Sequence, residues 1–118
     1  MNIPLADIAH ARSGDKGDSA NVGVIALRPE WYAVLEKYLT VDVVSAHFAP
    51  LISGPVERYD LPNLGALNFV LHGALDGGGT RSLRIDAQGK TLSTAMLRIV
   101  LDVPASDPRV ASVRQALR

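Results

Sequence analysis

An α+β fold, with an antiparallel sheet and helices packed mainly on one of its faces, is predicted by three patterns in this chain of 118 residues. Two short β-branched and apolar runs follow one another at the N-terminus across a Gly- and Asp-rich loop. A period of three to four residues takes over in the middle. Short alternating runs then return toward the C-terminus.

Each element has a local reason. "PLADIAHARS" and "ANVGVIAL" read as strands, and the loop between them makes a hairpin the simplest pairing. In the second strand Val22 and Val24 take one face while Ile25 and Leu27 take the other, so both faces are expected to be covered. "RPEWYAVLEKYLT" places Trp31, Val34, Leu35, Tyr38 and Leu39 on one helical stripe, with Pro29 set for the start. A second helix follows, with Thr40 as N-cap, Asp42 in the first turn, and Val41, Val44, Phe48 and Leu51 as its stripe. Gly54 and Pro55 end it.

"PVERYDLP" reads as a short strand between prolines. The segment 63–76 fits two templates. As a helix it has a Leu64, Leu67, Leu71 and Leu75 spine; as a strand, Leu67, Phe69 and Leu71 alternate with Asn68, Val70 and His72. Its length and terminal glycines favour the helix. "DAQGK" reads as a turn and "AMLRIVLDV" as the last strand. After Pro104, "SDPRVASVRQALR" has a cap-and-proline start for a short terminal helix prone to fraying. The domain is therefore expected to span residues 1–104, with 105–118 as a tail. Strand, strand, helices, strand, helix, strand is the order of a ferredoxin-like sandwich.

Composition narrows the function classes. Twelve basic and twelve acidic residues cancel, which favours neither nucleic acid nor an anionic membrane surface as a partner. Cysteine is absent, so disulfides, thiolate catalysis and cysteine-ligated metal sites are excluded. The N-terminus lacks the pattern of a signal peptide, and no apolar run approaches the ~20 residues of a membrane span. A cytoplasmic protein without a cofactor or a dedicated metal site is the expectation.

The densest chemistry lies in "HARSGDKGDSAN", residues 10–21. It is no P-loop, because Gly14 and Gly17 are three apart, Lys16 precedes the second glycine, and Asp15 and Asp18 would repel a phosphate. It is no EF-hand calcium loop either, since Asp15, Asp18 and Asn21 recur every third position instead of every second. Two readings remain level. One is a hairpin loop with an Asp-Lys-Gly turn and local caps from Asp18 or Ser19. In the other, Arg12, Asp15, Lys16, Asp18 and Asn21 form a paired network at a sheet end, shaping a polar pocket or locking a subunit contact.

Further candidates are weaker in isolation. His10 shares a strand face with Arg12, His47 sits beside Phe48, and His72 lies four residues after Asn68. Neither H-x-x-x-H nor H-E-x-x-H occurs. Ser13 and Ser19 lack the G-x-S-x-G context of a nucleophile elbow. "DGGGTR" offers Gly77, Gly78, Gly79 and Arg81 for an anion nest, aided by Arg84, or else a plain helix stop.

Two long motifs, "HARSGDKGDSANVGVIAL" and "LPNLGALNFVLHGALDGGGTRSLRIDAQGKTL", resemble the ferredoxin-fold domain of the acyclic terpene utilisation (AtuA) family. The resemblance runs from about Leu5 to Val103. It carries over a pattern: Arg12, Ser13, Gly14, Asp15, Lys16, Gly17, Asp18, Asn21 and Gly23, then Asn63, Asn68 and Phe69, then the glycines at 77–79. Asp76 stands where glycine is frequent, which counts against a simple phosphate cradle. In larger members this domain follows a big N-terminal domain. Stand-alone versions are associated with catabolism of acyclic terpenes, branched fatty acids and related acyl-CoA esters, and the resemblance supplies no catalytic residue.

These readings imply a small binding or assembly module that homo-oligomerises and docks on a larger AtuA-type protein. The alternative is an enzyme or auxiliary subunit of hydratase or hydro-lyase type, taking an acyl-CoA thioester as ligand. In a third reading the loop network only stabilises the fold.

Overall fold

A computed structural model describes residues 1–16, 18–74 and 90–117, apart from the side chains of residues 15, 16, 90 and 91. Strand β1 (Asn2–Pro4) leads into a single helical turn, α1 (Leu5–Ile8), and then into β2 (Ala9–Lys16). The N-terminal run is thus not one strand. Pro4 precedes the turn, and Leu5 and Ile8, three apart, both bury completely on one side of it. β2 pairs antiparallel with β3 (Ser19–Ala26) as the expected hairpin, from Ala9 opposite Ala26 to Lys16 opposite Ser19, so that Asp15 and Lys16 are paired strand residues where an Asp-Lys-Gly turn was expected.

A 3-10 turn at Pro29–Trp31 opens α2 (Tyr32–Tyr38), and α3 (Val41–Phe48) follows. Both stripes read from the sequence face the core: Trp31, Val34, Leu35, Leu39, Val44 and Phe48 are buried. The Thr40 hydroxyl accepts a hydrogen bond from the Val43 amide at 3.2 Å, as an N-cap should. β4 (Val56–Leu61) is the strand expected between prolines.

The segment after it departs from the helical reading. Pro62–Leu64 makes one 3-10 turn, Gly65 closes it at φ 61°, and Ala66–Leu71 is strand β5. The left-handed backbone at Gly65 suits glycine and ends the turn. Leu64, the first residue of the supposed helical spine, is 70% exposed, whereas Leu67, Phe69 and Leu71 are fully buried. Alternation won because β5 sits between two strands and must present a continuous apolar row inward.

The last strand is shorter than "AMLRIVLDV" suggested. Its first residues belong to α4 (Lys90–Met96), and β6 (Val100–Asp102) pairs antiparallel with β1. Leu92 and Met96, four apart, bury the inner side of that helix. The "DAQG" part of the expected turn lies outside the described residues.

A four-stranded antiparallel sheet, in the order β2–β3–β5–β4, is the frame of the molecule. α4 packs on β2 and β3, α2 on β3 and β5, and α3 on β4. One hydrophobic core fills the space between this inner face and the helices. At the β4 edge Arg58 closes it, donating to the Leu39 carbonyl at 3.0 Å and pairing with Asp60 at 2.7 Å.

The C-terminal segment is anchored. A 3-10 turn at Pro108–Val110 runs into α5 (Ala111–Ala116), and Val110 and Val113 join the core. Trp31 donates its indole N–H to Ser112 Oγ at 3.0 Å. Buried Asp107 accepts from the Tyr38 hydroxyl and, at 2.9 Å, from the Arg109 amide. The Tyr38 hydrogen bond, seconded by the Arg109 amide, holds the Asp107 carboxyl far below the usual carboxylate range.

The second strand does not have two covered faces. Ala20, Val22 and Val24 are buried inward, while on the other side Asn21 is exposed and Gly23 and Ile25 are half-buried. Among the described residues, the outer face of the sheet carries no helix layer.

Candidate functional site

The open outer face gathers most of the described motif residues. Pairing register sorts it into rows, because directly opposed residues of antiparallel strands share a face. His10, Ile25, Ala66 and Leu61 form the first row; Arg12, Gly23, Asn68 and Tyr59 form the second. The third is Gly14, Asn21, Val70 and Glu57, and His72 continues β5 toward Ser19 beyond it.

Side chains link across these rows. Asn21 Nδ2 donates to Asn68 Oδ1 at 3.4 Å. A Cβ at position 14 would crowd this pair, lying 3.2 Å from Asn21 Oδ1. Ser19 Oγ lies 3.2 Å from His72 Nδ1, and His72 Nε2 lies 3.3 Å from Glu57 Oε2, though not aligned as a hydrogen bond. Tyr59 donates its hydroxyl to Glu57 Oε1 at 2.6 Å. That bond, with His72 adding to it, lowers the Glu57 carboxyl below its ordinary range, and the carboxylate in turn raises the Tyr59 phenol.

The backbone fixes where His72 stands. Its N–H donates to the Pro55 carbonyl at 3.1 Å, and its carbonyl accepts from Gly54 at 2.9 Å. Gly54 has no room for a side chain, because a Cβ there would lie 2.8 Å from the His72 Cβ.

The other motif residues scatter. Arg12 and His10 are exposed on the outer face, and Asp18 is exposed at the hairpin tip. Ser13 points inward instead, its Oγ buried with no hydrogen-bond partner among the described residues. Asp15 and Lys16 are placed by their backbone pairing with Ala20 and Ser19. Gly17, Gly77, Gly78, Gly79, Arg81 and the anion nest lie outside the described residues. Asn21 pairs with Asn68, and among the described residues neither Arg12 nor Asp18 has an ion pair; the side chains of Asp15 and Lys16, the other members of the network read from the sequence, lie outside that description. His47 has a structural task, donating from Nε2 to the Ala95 carbonyl at 2.7 Å and so tying α3 to α4.

Sequence reasoning missed Glu57 and Tyr59, and it read Ser19 as a turn cap or as a serine lacking a nucleophile motif. The i, i+2 spacing of Glu57 and Tyr59 was visible, but not that β4 would lie beside β5.

The chain matches the family model described as the AtuA ferredoxin-like domain over residues 3–102. It belongs to the AtuA ferredoxin-like domain family. No curated protein matches the chain, and no solved structure does. In this AtuA-type domain Arg12, Gly14, Asn21, Gly23 and Asn68 all lie on the outer face, whereas Phe69 is inward and Asn63 sits in the 3-10 turn before β5.

The site's chemistry follows from its shape. Serine, histidine and carboxylate stand in the order of a nucleophile relay, but the ring is turned so that Nδ1 faces the hydroxyl. The group lies on an open strand surface. A depression of about 260 Å³ is lined by Asn63, Leu64, Tyr32 and neighbouring residues at the other end of β5. Among the described residues no three histidine or acidic side chains gather as a metal site, and no helix is long and apolar enough to cross a membrane.

Proposed function

We propose that this AtuA-type domain is a small binding or assembly module whose outer sheet face is its working surface. It serves catabolism of acyclic terpenes or branched acyl-CoA esters by docking on larger AtuA-type proteins or on further copies of itself. The observation that carries this reading is the gathering of Arg12, Gly14, Asn21, Gly23 and Asn68 on a face that no described helix covers. Flat sheet surfaces with hydrogen-bonding and aromatic side chains suit macromolecular contact better than enclosure of a small ligand.

Sedimentation velocity over a concentration series, with and without a purified larger AtuA-type protein, tests it. Association in either series supports the module. A monomer at every concentration that ignores the larger protein overturns it.

A second reading has one observation in its favour, the Ser19–His72–Glu57 alignment. It makes the chain a hydratase-type enzyme or auxiliary subunit on acyl-CoA thioesters. Turnover of branched enoyl-CoA esters that is lost in His72→Asn would support it, and no turnover across the panel would remove it.

A further inference from the structure

The outer face has two unlike halves. The β2 and β3 half is small, and its rows carry one described cation, Arg12, exposed between Gly14 and Gly23. The β4 half is bulky and anionic, with Glu57 exposed and Tyr59 50% exposed. Along the strands the face also has direction: the His10 end carries Ile25 and Leu61, and the opposite end carries Ser19 and His72.

Resting on the reading of this face as an assembly surface, we infer that its occupant is a second copy of the same chain. The two sheets stack face to face about a twofold axis that runs parallel to the strands. Such an axis sets β2 over the partner copy's β4 and β3 over its β5, with each row meeting the same row. Arg12 then stands over the second copy's Tyr59, beside its Glu57. There it gains a face-on aromatic contact and a carboxylate. The glycines at 14 and 23 leave room for the bulkier opposing half, and the apolar rows holding Ile25 and Leu61 meet each other.

The other in-plane twofold axis, across the strands, fails on the same residues. It would stack β2 on β2, bring the two Arg12 side chains together, and lay the apolar end over Ser19 and His72. Charge and apolar pattern together select the first axis.

Size sets the strength. Four strands of about six residues give a face of roughly 20 Å by 20 Å from strand spacing and rise, with stacked sheets about 10 Å apart. At roughly 400 Å² per copy this is below the size of standard interfaces, so the dimer should be weak, reversible and dependent on protein concentration.

Charge reversal tests the arrangement by sedimentation equilibrium, with far-UV circular dichroism to show that each variant folds. Arg12→Glu and Glu57→Arg should each weaken self-association about tenfold or more. The double variant R12E/E57R should return to within about threefold of the parent. An unchanged or tighter Arg12→Glu dimer overturns the inference, because removing an arginine–arginine clash is what the other axis predicts. A double variant as weak as either single variant overturns it too. A parent chain that stays monomeric yet binds a larger AtuA-type protein overturns the self-dimer and leaves the assembly module standing. If the charge variants do not fold, Tyr59→Ser should still weaken association, and an unchanged dimer there also counts against the inference.

Discussion

The two faces of the sheet β2–β3–β5–β4 are made from the same backbone and do opposite jobs. On β5, Leu67, Phe69 and Leu71 point inward and are fully buried, while Asn68 and Val70 point outward and are only partly covered. On β3, Val22 and Val24 face the helices while Asn21 and Gly23 face out. The inner face holds the fold together through burial of apolar surface. The outer face holds its side chains in place with hydrogen bonds but seals nothing. Core burial and the open polar surface are thus separated by one residue step along each strand.

That separation can be broken most visibly at neighbouring positions of β5. Phe69→Ala should cost about 3–5 kcal/mol of stability in urea unfolding, because it leaves a cavity in the core. Asn68→Ala, one residue away, should stay within about 0.5 kcal/mol. A large loss at Asn68 would mean that the outer face is structural after all.

The joint after β5 comes next in size. Gly73 holds φ 74°, and a Cβ there would strike the Ser53 hydroxyl. Gly73→Ala should therefore cost roughly 1–3 kcal/mol from backbone strain, again read by urea unfolding.

The C-terminal anchor sharpens the contrast, being a buried polar cluster that serves the fold. Asp107→Asn should lower the melting temperature by about 5 °C at pH 7, because the neutral amide loses the charge-assisted hydrogen bonds from Tyr38 and Arg109. The sign with pH follows from the depressed folded pKa of Asp107. Its contribution is complete above the unfolded value near 3.9 and disappears as pH falls below that toward the folded value. Melting curves from pH 7 to pH 2 should show parent and variant converging at the acid end.

The smallest effect belongs to the outer face. Tyr59→Phe removes the hydrogen bond that lowers the Glu57 carboxyl, so its titration, followed by NMR, should move up toward the ordinary glutamate range. The melting temperature should not change measurably.

How much of this was legible in the sequence depends on whether the signal is local. The hairpin, the α2 and α3 stripes and the Thr40 cap rest on neighbours within one turn or one strand, and they appear as read. The misreadings share a cause in tertiary context. Leu64, Leu67 and Leu71 match a helix as well as a strand until β3 and β4 take their places on either side. "PLADIAH" alternates well enough for a strand, yet Pro4 and the joint burial of Leu5 and Ile8 favour one helical turn. The site divides the same way. Arg12 and His10 on one strand face were evident from alternation, but the pairing of Asn21 with Asn68 crosses 47 positions of chain. No spacing rule reaches that far, nor does one predict that β4 brings Glu57 to His72.

In the proposed assembly the outer face, and no other, is where this domain meets its own kind. Amide NMR spectra of the parent chain recorded across a dilution series test it most directly. Concentration-dependent shifts are expected to centre on Gly23, Asn68, Tyr59 and Arg12, with Val34, Val44 and Val113 unmoved. Shifts confined to the helices, or none at millimolar concentration, would contradict it.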